Sequence, residues 1–171
     1  MTILSQERAK ELFEYRDGNL YWLPFAISWN RKSSKAGRLV GTPSGHGYLK
    51  VKVDRKSYYV HQIVYLLHNG FIPKLIDHID TNKSNNRIEN LRETTKSQNA
   101  YNSKIRTDNT SGVKGVTWSN AAQKWMARIY ANKQNIYCGL FNTINEARVF
   151  MDQKRLEMHK EFANDGLRRA A

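Results

Sequence analysis

The chain of 171 residues carries 28 Lys and Arg against 15 Asp and Glu, a net charge of +13 and a pI near 9.9. That length holds one ordinary domain or two small ones, and no apolar run approaches the roughly 18 residues that span a bilayer. A single cysteine, Cys138, excludes an intrachain disulfide and a Cys-built structural zinc site, while the basic excess points to a polyanion. Nucleic acid comes first and an anionic membrane surface second; charge alone leaves open a basic but otherwise ordinary soluble protein.

In chain order, the first residues, Met1 to Glu7, lack the basic start, apolar stretch and cleavage site of a signal peptide, so a cytoplasmic protein is expected. Leu4, Leu12 and Phe13 fall near one side of a helical stretch that ends before the turn signal Asp17-Gly18. Leu20 to Leu23 reads as a strand stopped by Pro24, and the polar, basic stretch from Asn30 to Ala36 as an exposed loop. After a turn at Ser44 to Gly47, Tyr48 to Val53 alternates: Leu49, Val51 and Val53 face one way, Tyr48, Lys50 and Lys52 the other. Asp54-Arg55-Lys56 turns the chain into Ser57 to Val60, and these strands are expected to form a small antiparallel sheet. A helix from His61 to His68, with Ile63, Val64 and Leu67 at core spacing, closes at Asn69-Gly70.

Pro73 restarts the chain as extended, leading into Leu75-Ile76-Asp77-His78-Ile79-Asp80. A polar turn follows from Thr81 to Asn86. Asn90-Leu91-Arg92 forms a second short segment, and Thr94 or Thr95 is placed to cap a helix carrying Asn99. Asp77 offers a hard oxygen ligand, and His78, with an ordinary imidazole pKa near 6.5, is substantially neutral at pH 7 and able to take a proton from water. On a straight strand Asp77 and His78 would point to opposite faces. Asp80 and Asn82 are expected to shape the turn.

The ordered set Pro73, Asp77-His78-Ile79-Asp80, Asn82, Asn86 to Arg92 and Gln98-Asn99 resembles the HNH endonucleases, in the phage homing variant where Asn replaces the last His. The resemblance implies a ββα-metal motif over residues 74 to 102. It assigns His78 as general base, Asn90 as the residue orienting its ring, and Asp77 and Asn99 as ligands to one divalent ion, Mg²⁺ first and Mn²⁺ second. It also implies hydrolysis to 5′-phosphate and 3′-hydroxyl ends. His61 resembles a frequent family feature, with a phosphate contact and a plain packed position both open. His46 and His159 show no partner pattern.

Residues 103 to 110 are polar and aperiodic, as in a linker. Three strands are expected at Val113 to Trp118, Lys124 to Tyr130 and Asn135 to Phe141, with Cys138 as a small buried residue rather than a reactive thiol. A helix from Ile144 to Lys160 follows, opened by a Thr143/Glu146 capping box and striped by Ala147, Phe150, Met151 and Met158. Ser111 to Trp118, Lys124 to Ile129, Tyr137 to Phe141 and Glu146-Ala147 resemble the AP2 DNA-binding domain, a three-stranded sheet on one helix whose sheet enters the major groove. The resemblance covers most of residues 111 to 164. Lys114, Trp118, Lys124, Arg128 and Tyr130 are its candidate DNA contacts, the lysines to phosphate and Arg128 to bases, while Trp125 and Phe141 read as core.

The expected molecule is α+β. An HNH nuclease domain covers 1–102, with an N-terminal antiparallel sheet in 1–60; a linker covers 103–110, an AP2-like domain 111–164 and a tail 165–171. The expected partner is double-stranded DNA, with no membrane, and the chain a monomer or weak homodimer located in the host cytoplasm if phage-encoded. One site per chain implies nicking by a monomer; double-strand cutting needs a dimer or two events. Two rivals stand beside the nuclease: a catalytically inactive AP2-type DNA-binding or regulatory protein, and an RNA-directed protein.

Overall fold

The structure, a computed structural model, describes residues 4–24 and 36–167. Most of the basic loop expected between Asn30 and Ala36 lies outside the described residues, as do the last four positions of the expected tail. The chain divides into two compact units, Met1–Thr94 and Thr95–Ala171. The α+β class holds, built from several small antiparallel sheets and helices.

In the first unit, Ser5 caps helix α1 (Gln6–Leu12) by accepting from the Arg8 amide. The helix ends earlier than expected, because Phe13 enters strand β1 (Phe13–Arg16), which pairs with β2 (Asn19–Trp22). Asp17-Gly18, both with positive φ, forms the two-residue hairpin turn between them. Short apolar runs fit helix and strand periods equally, so Phe13 alone did not distinguish them. Strands β3 (Thr42–Pro43), β4 (Leu49–Val53) and β5 (Lys56–Tyr59) form a second sheet in that order. Val51 and Val53 face the core, whereas Lys50 and Lys52 are exposed. Helix α2 (Val60–Asn69) buries Val60, Ile63, Val64 and Leu66 and stops at Gly70 in the left-handed region. These residues join Ala9, Leu12, Phe13, Leu20, Val40 and Leu91 in one core. The last sheet of this unit is the hairpin of β6 (Ile76–His78) and β7 (Leu91–Glu93).

The second unit opens with helix α3 (Lys96–Tyr101), where Thr95 and Gln98 form a reciprocal capping box. Strands β8 (Val116–Ser119), β9 (Lys124–Ala131) and β10 (Gln134–Phe141) form a sheet with β9 at its centre. Helix α4 (Ile144–His159), opened by the Thr143/Glu146 box, packs on one face of it. Val113, Val116, Ala127, Ile129, Ala147 and Met151 make up the second core. Val113 precedes β8 in a tight turn rather than starting the strand. Residues 103–110 are tied down at several points: the Ile105 amide donates to the Gly166 carbonyl, and Ser103 O accepts from Lys114. Arg155 is an unexpected member of the buried helix stripe, its guanidinium donating to Asp152 and to the Lys114 carbonyl.

Candidate active site

The β6–β7 hairpin places Asp77 opposite Arg92 and His78 opposite Leu91. Its connecting loop is held by a carboxylate and a set of amides. Asp80 accepts from the Asn82 backbone at 2.8 Å and from the side chains of Asn85 at 2.6 Å and Asn90 at 2.9 Å. Burial opposes the charge on Asp80, but these donors outweigh it and hold the carboxyl below its usual range. Asn90 Oδ1 accepts from the Asp80 amide, and its Nδ2 also donates to the Asn85 carbonyl, so this amide serves the loop.

The Asn90 amide, expected to orient the His78 ring, is thus bonded to Asp80 and Asn85 instead. The side chain aligned with the His78 ring is Asn86, whose Oδ1 lies 3.2 Å from His78 Nε2. Asn86 is 2% exposed, and its Nδ2 donates to the Ser84 carbonyl, which settles the end of the amide that faces the imidazole. His78 therefore donates through Nε2–H, and its basic lone pair sits on Nδ1. Burial pushes the His78 pKa down, more than the Asn86 bond and the nearby Asp80 and Asp77 raise it. The ring is neutral at pH 7.

Asp77 is 5% exposed, and Nε and Nη2 of Arg92 both donate to its Oδ2, at 3.0 and 2.8 Å. A buried carboxylate beside a neutral imidazole is donor chemistry suited to a hard divalent ion with few protein ligands. Among the described residues no three His, Cys, Asp or Glu side chains form a metal cage. An ion here would share Asp77 with Arg92. Asn99, the other expected ligand, is an exposed residue of α3 in the second unit.

Two rings that the residue pattern did not assign to the site lie against His78, and a third backs them. His61 meets it edge-on at 5.0 Å between centroids, and Tyr48 lies at 5.8 Å. Tyr59 stacks on His61 at 5.3 Å. His61 is buried, its Nδ1 has no hydrogen-bond partner, and burial pushes its pKa down to about 3. Its place at the start of α2 was legible; its nearness to His78 depends on a contact across 17 residues of chain.

In the second unit, strand register sorts the expected DNA contacts. Arg128, Tyr130 and Lys124 are exposed on the face of the sheet away from α4, where Tyr137 pairs with Arg128 and Asn135 with Tyr130. Trp118 pairs with Trp125 and so belongs to the helix side, at its rim, with 44% of its surface exposed. Lys114, expected on phosphate, is half-buried and bonded within the unit. Its ammonium donates to the carbonyls of Tyr101, Ser103 and Asn164, and burial pushes its pKa down to about 8.

Comparison with known proteins finds a family match that covers this hairpin and its flanks. The HNH endonuclease family matches residues 58–101. Protein 3.8 of Escherichia phage T7 is 37% identical over 98 residues, covering 56% of this chain and 79% of that protein. No solved structure matches. HNH nucleases generally use a divalent metal ion.

Proposed function

This chain belongs to the family of phage T7 protein 3.8 and carries an HNH endonuclease domain, and from that premise we propose that it is a metal-dependent DNA endonuclease of the phage homing type. The observation that carries the reading is the His78 imidazole: buried, neutral, and held through Nε2 by Asn86 beside the Asp77 carboxylate. Water gives its proton to His78 Nδ1 as its oxygen bonds to phosphorus, the bond from phosphorus to the 3′ oxygen breaks, and that oxygen takes a proton from solvent. The products are a 5′-phosphate and a 3′-hydroxyl. Asp77 and Asn99 would hold Mg²⁺ or Mn²⁺, which when bound supplies charge stabilisation at the phosphate and the departing oxygen.

The C-terminal sheet and helix act as an AP2-like module on double-stranded DNA. Arg128, Tyr130 and Lys124 present the contact face, Trp118 serves its rim, and Lys114 supports the fold. The Asp77–Arg92 ion pair favours a second reading, a DNA-binding protein without cutting activity, because a guanidinium already neutralises the ligand carboxylate.

Incubation with supercoiled DNA, with and without chelator, separates the two. The nuclease reading expects metal-dependent nicking, lost in Asp77→Ala and His78→Ala and reduced in Asn99→Ala, with DNA binding retained. Cutting by His78→Ala at the rate of the parent protein would overturn the assignment.

A further inference from the structure

The outer face of the β3–β4–β5 sheet ends at His78. Lys50 pairs with Tyr59 and Lys52 with Ser57, so both lysines lie on the face opposite Val51 and Val53. The Lys50 ammonium stands 4.9 Å from the centre of the Tyr59 ring. Lys83, from the active-site loop, holds its ammonium 4.7 Å from the centre of Tyr48 and donates to the His46 carbonyl at 3.1 Å. Tyr48 and Tyr59 touch each other at 5.1 Å and both touch His61, which with Tyr48 lies against His78.

Lys50, Lys52 and Lys83 form no ion pair among the described residues. Exposed lysines are commonly just solvated. Two features set these apart: Lys50 and Lys83 are held over aromatic rings, and those rings run without a break to the imidazole. Lys50 and Lys52 are two residues apart on one strand, a separation of roughly 6.8 Å. Two nucleotides of one DNA strand rise by about the same length, ~3.4 Å each.

We propose that this face is a phosphate track. It binds the backbone of the DNA strand to be cut, with Lys50 and Lys52 on phosphates two nucleotides apart, Lys83 on a further phosphate nearer the loop and Tyr48 and Tyr59 against the sugars, and so presents one phosphodiester to His78. The proposal rests on the nuclease reading for its substrate, but it assigns binding to the first unit itself, separately from the C-terminal sheet. His61 forms the seam between track and imidazole.

The test uses the full chain and a labelled DNA duplex in chelator, so that binding is read without cutting. Lys50, Lys52 and Lys83 are changed together to Ala, with Lys50→Ala/Lys52→Ala as a second variant that keeps the Lys83 contact to the loop. Each lost phosphate contact removes about 0.9 from the slope of log affinity against log salt. The triple variant is expected to lose between two and three units of slope and at least about tenfold in affinity near 0.1 M salt, the double variant about two units. Arginine at the three positions is expected to restore both. With metal, the defect should appear chiefly in KM. Parental slope and affinity in both variants would overturn the track, even with a His78→Ala variant that cannot cut. No metal-dependent cutting by the parent protein, together with a reduced slope in the variants, would overturn the nuclease reading and leave DNA binding by this face standing.

Discussion

Burial keeps the His78 imidazole neutral, and the Asn86 bond places its N–H on Nε2. Asn86→Ala is therefore expected to lower the cutting rate by about 100-fold, the usual scale for losing an oriented general base. Asn86→Asp should retain the acceptor, recover much of the rate and move the acidic limb of the pH–rate profile upward, since a carboxylate favours the protonated ring. An unchanged profile in Asn86→Asp would separate this residue from the base. His61 supplies a stability counterpart. Its pKa is near 3 in the fold and ordinary in the unfolded chain, so below about pH 6.5 the unfolded state binds the extra proton. Stability from this group is complete above that pH and falls by roughly 1.4 kcal/mol per pH unit on acidification towards 3. Denaturant titrations from pH 7 to 4 should show that slope, reduced in His61→Phe. The residue pattern made Asp77 and His78 legible as chemistry. It did not distinguish Asn86 from Asn90, because both are amides in one polar loop and only the folded hydrogen bonds tell them apart.

Among the elements, turns and caps were the most legible parts, since their chemistry is local. Asp17-Gly18, the Thr143/Glu146 box and Gly70 at the end of α2 perform as their residue types require. Faces were less legible. Trp118 and Lys114 looked like groove contacts until strand register turned one to the helix side and tertiary carbonyls enclosed the other. Gly115 carries the strictest local demand. Its φ is +78°, and a Cβ there would stand 2.4 Å from the Arg128 carbonyl and 3.0 Å from the end of Met151. Neither the strand backbone nor the core side chain has room to give, so Gly115→Ala should cost the second unit about 2–4 kcal/mol. Faster hydrogen exchange of the β9 amides would register it; parental protection would contradict the packing.

At the scale of the whole molecule, the charge of +13 describes a chain built for a polyanion, and among the described residues no helix is long and apolar enough to cross a membrane. Two cores share the chain, and the second is small, with six buried apolar residues. It is completed by segments outside residues 111–164. Tyr101 stacks on His159 at 3.8 Å, its hydroxyl accepts from the Asn132 amide, and Asn164 donates to Asn102. A fragment of residues 95–167 is accordingly expected to melt cooperatively at a temperature well above that of a fragment of 111–164. Equal melting temperatures would show these flanking contacts to be idle.

The same stitching has a mechanical meaning. Tyr101 closes α3, the short helix that bears Asn99, and Lys114 clamps the carbonyls just beyond it. Whatever anchors the C-terminal sheet on a duplex thus also immobilises the backbone that carries Asn99. The C-terminal sheet and the short helix before it are therefore one piece, riveted by one ammonium and one stacked ring.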